Sequence, residues 1–126
     1  MGVALRKSER GQRAYHAGLA AEGIVERDYL RRGQTIAARR WRGRYGEIDL
    51  ICRDGERIVF VEVKQSKSHD QAVSHITRRQ MQRICASATD YVTGEPKGQL
   101  TPIRIDVALV DGTGAIKVIE NASMMW

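Results

Sequence analysis

Two short stretches in which charged and apolar residues alternate constrain this chain more than any other feature. They cover residues 46–51 (Gly-Glu-Ile-Asp-Leu-Ile) and 60–64 (Phe-Val-Glu-Val-Lys), and Asp54 and Gly55 between them are typical turn residues. In a single hairpin, period-two alternation would put one polar set on one face: Glu47, Asp49, Glu62 and Lys64. The opposite face would then be apolar throughout: Ile48, Leu50, Cys52, Val59, Val61 and Val63. This assignment requires a loop with an even number of residues, because an odd loop would separate the two halves of the polar set.

Three carboxylates on one strand face repel one another unless a positive charge lies between them. Two like charges about 4 Å apart cost roughly 1 kcal/mol in water and roughly 4 kcal/mol at an effective dielectric near 20. Mg²⁺ prefers hard oxygen ligands, of which proteins usually supply one or two carboxylates while water and substrate phosphate supply the rest. Asp49 and Glu62 suit that role, and Lys64 can reach a water beside the ion. The pattern therefore indicates phosphodiester hydrolysis.

The competing interpretation is an ordinary half-exposed hairpin, which also carries its charges outward and buries Val and Ile. The polar face of this hairpin is not uniformly polar, however, because Ile51, Ile58 and Phe60 fall on it near the turn. Those residues predict that a helix covers that end of the hairpin. A charged cluster beside a covered apolar patch would form a cleft, which favours the functional interpretation.

Together the two stretches resemble the YraN family of small bacterial proteins, which belongs to the restriction-endonuclease-like PD-(D/E)xK superfamily. The resemblance runs over almost the whole chain and implies an α/β fold with three layers, in which helices flank a mixed β-sheet in the order α-β-β-β-α-β-β. It implies Asp49 as the motif aspartate and Glu62 and Lys64 as the E-x-K pair. It also implies the Val63 carbonyl as a further ligand of Mg²⁺ or Mn²⁺, and nucleic acid, in particular DNA, as the partner.

Holliday-junction resolvases of the same superfamily carry a helical Gly-x-x-x-Glu arrangement, which Gly18 and Glu22 match. Those resolvases act as dimers, so the resemblance also predicts a possible homodimer. The chain departs from the family pattern where Arg40 stands in place of an asparagine, where Gln65 stands in place of an arginine, and where Arg79 stands in place of a lysine. These departures concern substrate contacts rather than the three candidate catalytic residues.

Length and composition predict one domain over residues 1–126. The chain is 42% hydrophobic, and no Pro/Gly/Ser-rich linker divides it. No stretch reaches the roughly 18 apolar residues that a membrane span needs, and the first residues lack a signal-peptide pattern. The two cysteines, Cys52 and Cys85, offer no zinc-site spacing. We therefore expect a cytoplasmic protein with no membrane partner.

The charge balance predicts a polyanionic partner. Lys and Arg number 21 against 15 Asp and Glu, which gives a formal net charge of +6. Arginine favours bidentate contacts with phosphate, and aromatic side chains can stack on exposed bases. The candidate nucleic-acid contacts are Arg39, Arg40, Trp41, Arg42, Arg44 and Arg79. The alternative for residues 39–44 is a solvated edge strand whose charges prevent sheet-to-sheet aggregation.

The rest of the chain predicts two long helices and two further strands. The first helix is expected from about Glu9 to Arg32 with Ser8 as its cap, and the second from about His69 to Thr93. Glu22 lies in the apolar stripe of the first helix, so it needs an arginine of the 39–44 run as partner or a metal nearby. Strands are expected over residues 103–109 and 115–120, with Arg104 and Asp106 paired across the strand surface.

The sequence thus predicts a metal-dependent endonuclease that acts on DNA, with branched DNA as one possible substrate. Asp49 and Glu62 are expected to hold one or two Mg²⁺ ions, and Lys64 to orient or deprotonate the attacking water. Glu47 is expected beside the metal ligands rather than among them. Two alternatives remain open: a non-catalytic nucleic-acid-binding module that retains the fold, and a protein-interaction scaffold that uses the apolar residues 124–126.

Overall fold

The computed structural model describes residues 20–126 of the chain. Within them, helix α1 covers residues 20–31, and Gly33 directly follows its last turn. The remaining elements are β1 (Thr35–Gly43), β2 (Gly46–Asp54), β3 (Arg57–Gln65), α2 (His69–Ser74), α3 (Arg78–Val92), β4 (Ile103–Val110) and β5 (Ile116–Ile119), with short 3₁₀ helices at Gly98–Leu100 and Ala122–Met124. The part of the first predicted helix from Glu9 to residue 19, its Ser8 cap and Gly18 lie outside the described residues.

The five strands form a mixed sheet in the order β1-β2-β3-β4-β5. Neighbouring strands are antiparallel except β3 and β4, which are parallel and joined by the crossover through α2 and α3. Helix α1 packs on one face of the sheet through Ala21, Val25 and Tyr29, and α3 packs on the other through Met81 and Ile84. The predicted fold class, a three-layer α/β arrangement with helices on both faces of a mixed sheet, is confirmed.

The hairpin between β2 and β3 has the even loop that the sequence required, although the loop lies one residue further along. Asp54 pairs with Arg57, so Gly55 and Glu56 form the turn in place of Asp54 and Gly55. The resulting register pairs Leu50 with Val61. Continued by one residue, it sets Asp49 across from Glu62.

The prediction of one uniformly apolar hairpin face is wrong at Ile48. Leu50 packs in the core on the α1 side, whereas Ile48 packs in the core on the α3 side. The change of face coincides with Arg40, which stands opposite this point on β1 and has a positive φ of 49°. Ile51, Ile58 and Phe60 are fully buried in the α3 core, which confirms that a helix covers their end of the hairpin.

The single second helix predicted from His69 to Thr93 is two helices. Helix α2 ends at Ser74, and Thr77 then takes an extended conformation (φ −107°, ψ 158°) before α3 begins. The Thr77 hydroxyl accepts from the Gln80 N–H at 3.1 Å, and the Gln80 side chain accepts from the Thr77 N–H at 3.2 Å. This reciprocal capping box starts a new helix and explains the break.

The C-terminal residues fold back in part onto the sheet. Ala122 is buried in the α3 core and Trp126 packs against it, while Met124 and Met125 are 80% and 68% exposed. The predicted Arg104–Asp106 pair is confirmed, with Arg104 Nε 2.8 Å from Asp106 Oδ1. No helix within residues 20–126 is long and apolar enough to span a membrane.

Candidate functional site

The site lies where β2 and β3 separate. The ladder between them runs from the Asp54–Arg57 pair to the Leu50–Val61 pair. Beyond it, the backbone N–H of Val63 donates to Asp49 Oδ2 at 2.8 Å, so a side chain takes the place of a backbone acceptor. Strand β3 meanwhile stays paired with β4 as far as Gln65 and Val110. The gap between β2 and β3 therefore opens at Asp49 and Glu62.

The backbone of Val63 faces this gap. In a β-strand the N–H and C=O groups of one residue point toward the same neighbouring strand. Because the Val63 N–H points at Asp49, its carbonyl oxygen points toward the same side of β3. The Val63 carbonyl oxygen therefore lies on the edge of β3 that faces Asp49.

Glu62 is buried, with only 8% of its surface exposed. Lys64 Nζ lies 3.5 Å from its Oε1 atom, and Arg83 Nη2 lies 3.9 Å from its Oε2 atom. Arg83 belongs to α3 and also donates through Nη1 to the backbone carbonyl of Glu47 at 2.9 Å. The Glu62 carboxylate therefore has a lysine from its own strand and an arginine from the helix above it as neighbours.

The carboxyl groups of Asp49 and Glu62 both have raised pKa values. Burial, followed by the charge of Glu62, raises the pKa of Asp49 to about 7, although the Val63 N–H and Lys64 act in the opposite direction. Burial also raises the pKa of Glu62 against the opposing effect of Lys64 and Arg83. The ionised form of these carboxyl groups is therefore unfavourable here, and a cation bound beside them would stabilise that form.

Carboxylate and backbone carbonyl oxygens are the donor types that Mg²⁺ and Mn²⁺ prefer in proteins. Among residues 20–126 no group of three or more His, Cys, Asp or Glu side chains is placed to hold a metal. An ion at this site would therefore take two carboxylates, from Asp49 and Glu62, together with the Val63 carbonyl. Water and substrate phosphate would complete the hard-oxygen shell, which is the usual situation for Mg²⁺ in proteins.

The two further acidic residues flank this donor set, and each has an arginine partner. Glu22 of α1 accepts from Arg40 Nε at 3.0 Å, which confirms the predicted pairing with the 39–44 run. Glu22 also contributes to the raised pKa of Asp49. Glu47 accepts from Arg42 Nη2 at 3.1 Å and contributes to the raised pKa of Glu62.

The structure separates the predicted nucleic-acid contacts into three groups. Arg39 and Arg40 line a cavity of about 280 Å³ that also includes Asp49 and Glu22, and Arg39 forms an ion pair with Glu26. Trp41 instead turns toward α3, where its ring meets the ring of Tyr91 edge-on at 5.3 Å.

The remaining predicted contacts are exposed. The Arg42 side chain is 76% exposed despite its pairing with Glu47. Arg44 lies over the ring of Tyr45 at 5.9 Å, and Arg79 lies in the first turn of α3. These three side chains are accessible to a large partner.

Sequence reasoning missed the role of Arg83. It was one of several basic residues on the flank of a predicted helix, and strand alternation says nothing about which helix residue lies over Glu62. The sequence held one signal, Gly46, since a glycine can mark a place where another group approaches the backbone closely. In the structure its φ is +113°. A Cβ atom there would lie 3.0 Å from Arg83 Nη1, so the glycine allows the arginine to approach the β2 backbone.

Fold and site together define a three-layer α/β protein with a carboxylate pair and a lysine at the separation of two strands. Residues 21–110 match the sequence profile of the uncharacterised protein family UPF0102. The chain is 56% identical over 115 residues to a UPF0102 protein of Ruegeria pomeroyi, covering 91% of this chain and 94% of the relative. It is 54% identical over 112 residues to one of Cereibacter sphaeroides, covering 89% and 96%. The chain belongs to the UPF0102 family.

A more distant relative supports the same assignment over nearly the full length. The UPF0102 protein of Dinoroseobacter shibae is 41% identical over 122 residues, covering 97% of this chain and 91% of the relative. The family resemblance drawn from the two hairpin stretches is thus confirmed as far as a family of uncharacterised proteins. Membership of the restriction-endonuclease-like superfamily stays a prediction.

Proposed function

We propose that this protein is a metal-dependent endonuclease that hydrolyses phosphodiester bonds in DNA. The observation that carries the proposal is the pair of facing carboxyl groups, Asp49 and Glu62, whose pKa values are both raised where β2 and β3 separate. Such a pair is unfavourable for stability in isolation, and perturbed carboxyl groups in a cleft are typical of functional sites. A divalent cation would turn the repulsion into binding energy.

Mg²⁺ or Mn²⁺ would be held by Asp49, Glu62 and the carbonyl oxygen of Val63. When bound, the ion supplies Lewis-acid polarisation of the phosphate and lowers the pKa of a water. Lys64 reaches within 3.5 Å of Glu62 Oε1, which puts its ammonium group beside the same position. There the ammonium group would orient the attacking water, whereas the neutral amine form of Lys64 would accept a proton from that water. Arg83 would hold Glu62 in place through its contact with that carboxylate.

The basic surface supports nucleic acid as the substrate. The chain carries a formal charge of +6, and Arg42, Arg44 and Arg79 are exposed. Guanidinium groups match phosphate oxygens in a bidentate geometry. Exposed ion pairs such as Arg42–Glu47 contribute little to stability, so phosphate can replace the carboxylate at small cost.

The test is a cleavage assay with Mn²⁺ against linear duplex, single-stranded, flapped and four-way DNA. Asp49→Asn and Lys64→Ala should each reduce cleavage below about one hundredth of the wild-type rate, because they remove a metal ligand and the group beside the water. DNA binding should stay within a few-fold of wild type. Unchanged cleavage in both variants would refute the assignment.

Glu56→Gln is the matched control for Asp49→Asn. Glu56 lies in the turn of the same hairpin, its side chain is 78% exposed, and it pairs with Lys97. Its substitution removes one carboxylate from the hairpin without touching the site. Cleavage by this variant should equal that of the wild type.

A non-catalytic nucleic-acid-binding module is the second candidate. It is favoured by the two cations already beside Glu62, since Lys64 and Arg83 could balance that carboxylate for structural reasons alone. Mn²⁺ titration separates the candidates, because a nuclease site binds the ion with an affinity that depends on Asp49. DNA binding that weakens steeply with salt separates both from a protein-interaction scaffold.

A further inference from the structure

Arg40 adopts a backbone conformation that an arginine rarely takes. Its φ is +49°, and the only other non-glycine residue with a positive φ in residues 20–126 is Asn121. Asparagine tolerates this left-handed region, whereas longer side chains adopt it at an energetic cost. Residues held in such conformations are concentrated at functional sites. The location of Arg40 therefore needs an explanation beyond strand formation.

The conformation brings Arg40 to the candidate metal ligands. In the ladder between β1 and β2, Arg39 pairs with Leu50 and Trp41 pairs with Ile48, so Arg40 stands across from Asp49. Its Nε donates to Glu22 Oε2 at 3.0 Å. Arg40, Glu22 and Asp49 line the same cavity of about 280 Å³.

Glu22 is the carboxylate that could extend the metal site. It reaches the cavity from α1, whereas Arg83, which contacts Glu62, belongs to α3. Asp49 thus has one carboxylate neighbour on each side of the sheet. Together, Glu22, Asp49 and Glu62 would offer carboxylate ligands for two ions if the guanidinium of Arg40 did not already neutralise Glu22.

We infer that Arg40 limits this site to one divalent ion, because its guanidinium already holds the Glu22 carboxylate that a second cation beside Asp49 would need. The inference rests on the proposed function, since it concerns the same metal site. It assigns Arg40 a positioning role, because the side chain commits Glu22 to a protein partner. The positive charge of Arg40 neutralises the Glu22 carboxylate permanently, whereas a second metal ion would neutralise it only when bound.

The test is the stoichiometry of Mn²⁺ binding to the full chain, measured by isothermal titration calorimetry. The wild type should bind one ion and Arg40→Asn should bind two. The double variant Arg40→Asn with Glu22→Gln should return to one, because the second ion loses its carboxylate. Electron paramagnetic resonance provides a second readout, since two neighbouring Mn²⁺ ions give a spin-coupled spectrum that one ion does not.

Arg39→Asn is the matched control. Arg39 lines the same cavity, and its substitution removes the same charge, but its partner is Glu26 rather than Glu22. This variant should bind one ion. Arg40→Gly serves as a second variant because glycine takes a positive φ freely, so a folding defect of Arg40→Asn does not prevent the measurement.

One ion in both folded Arg40 variants, or two ions in the wild type, would overturn the inference and leave the proposed function standing. Absence of Asp49-dependent Mn²⁺ binding in the wild type would overturn the proposed function and this inference with it. Two ions in Arg39→Asn would also contradict the inference, because general loss of charge in the cavity would then be the cause.

Discussion

At the scale of single residues, Asp49 is the most perturbed group of the candidate site. Its carboxylate is half-buried, lies close enough to Glu62 to be affected by that charge, and accepts one hydrogen bond from the Val63 backbone. Neither fact depends on a metal ion. The residue therefore affects the stability of the metal-free protein, and this effect depends on pH.

We expect Asp49 to destabilise the metal-free fold as pH rises toward neutrality. Its pKa is about 7 in the folded state and about 4 in an unfolded chain. The folded state thus binds the proton more tightly, so the stabilisation is complete below about pH 4 and is lost as pH rises through 7. Asp49→Asn should remove this dependence and be more stable than wild type at pH 8 by about 1–2 kcal/mol, which is below the roughly 4 kcal/mol that three pKa units would give because solvent reaches the half-buried side chain.

Urea unfolding in EDTA at pH 5 and pH 8 measures this difference. Glu56→Gln is the control, since Glu56 is exposed at the hairpin turn. A wild type and Asp49→Asn that lose equal stability between the two pH values would contradict the prediction.

Gly46 is the second residue whose backbone matters to the site. Gly46→Ala should destabilise the protein by about 1–3 kcal/mol, because φ is +113° and the new Cβ would crowd Arg83 Nη1 at 3.0 Å. Gly33→Ala separates the two causes, since φ there is +86° and nothing lies within 4 Å of the Cβ position. Chemical denaturation of both variants should show the larger loss for Gly46→Ala.

At the scale of elements, the sequence predicted the hairpin well because one periodicity governs it. Alternation placed Ile51, Ile58 and Phe60 against a helix, and the even loop kept the register that, continued past the Leu50–Val61 pair, sets Asp49 across from Glu62. Alternation failed at Ile48, where the change of face coincides with the positive φ of Arg40 on β1, because a two-residue repeat does not encode such a local irregularity. The break between α2 and α3 was missed because apolar spacing continues through it, although Thr77 and Gln80 carry the capping signature.

Thr77→Ala should lower the free energy of unfolding by about 1 kcal/mol, because the N-terminal turn of α3 loses its cap. Thr89→Ala is the control within the same helix. Thr89 is exposed, and its hydroxyl donates to the Cys85 carbonyl, so its replacement should be neutral or stabilising by a few tenths of a kcal/mol. Equal thermal stability of the two variants would show that the capping box contributes nothing.

At the scale of the whole molecule, what the sequence could not provide is the relation between elements distant in the chain. Arg83 reaches Glu62 only because the crossover lays α3 over β3. Arg40 reaches Glu22 only because β1 lies beside α1. Residue types and hairpin spacing were sufficient to nominate Asp49, Glu62 and Lys64, whereas the groups that surround them follow from tertiary packing.

The distribution of charge over the molecule predicts how DNA binding depends on salt. Arg44→Ala and Arg79→Ala should each reduce the slope of log affinity against log salt by about 1, since each removes one phosphate contact. Lys97→Ala should leave the slope unchanged, because Lys97 pairs with Glu56 at the hairpin turn. Fluorescence anisotropy between about 50 and 200 mM KCl measures the slopes. Equal slopes in all three variants would exclude the surface around Arg44 and Arg79 as the DNA-binding site.

The hydrogen bond from Val63 to Asp49 has one further consequence. Most amide protons in a sheet report only on their own strand pairing, but this one ends on a titrating side chain. Its chemical shift in a nuclear magnetic resonance spectrum follows the ionisation of that single carboxyl group. The amide signal of Val63 therefore reports the ionisation state of the candidate site without any label or substitution.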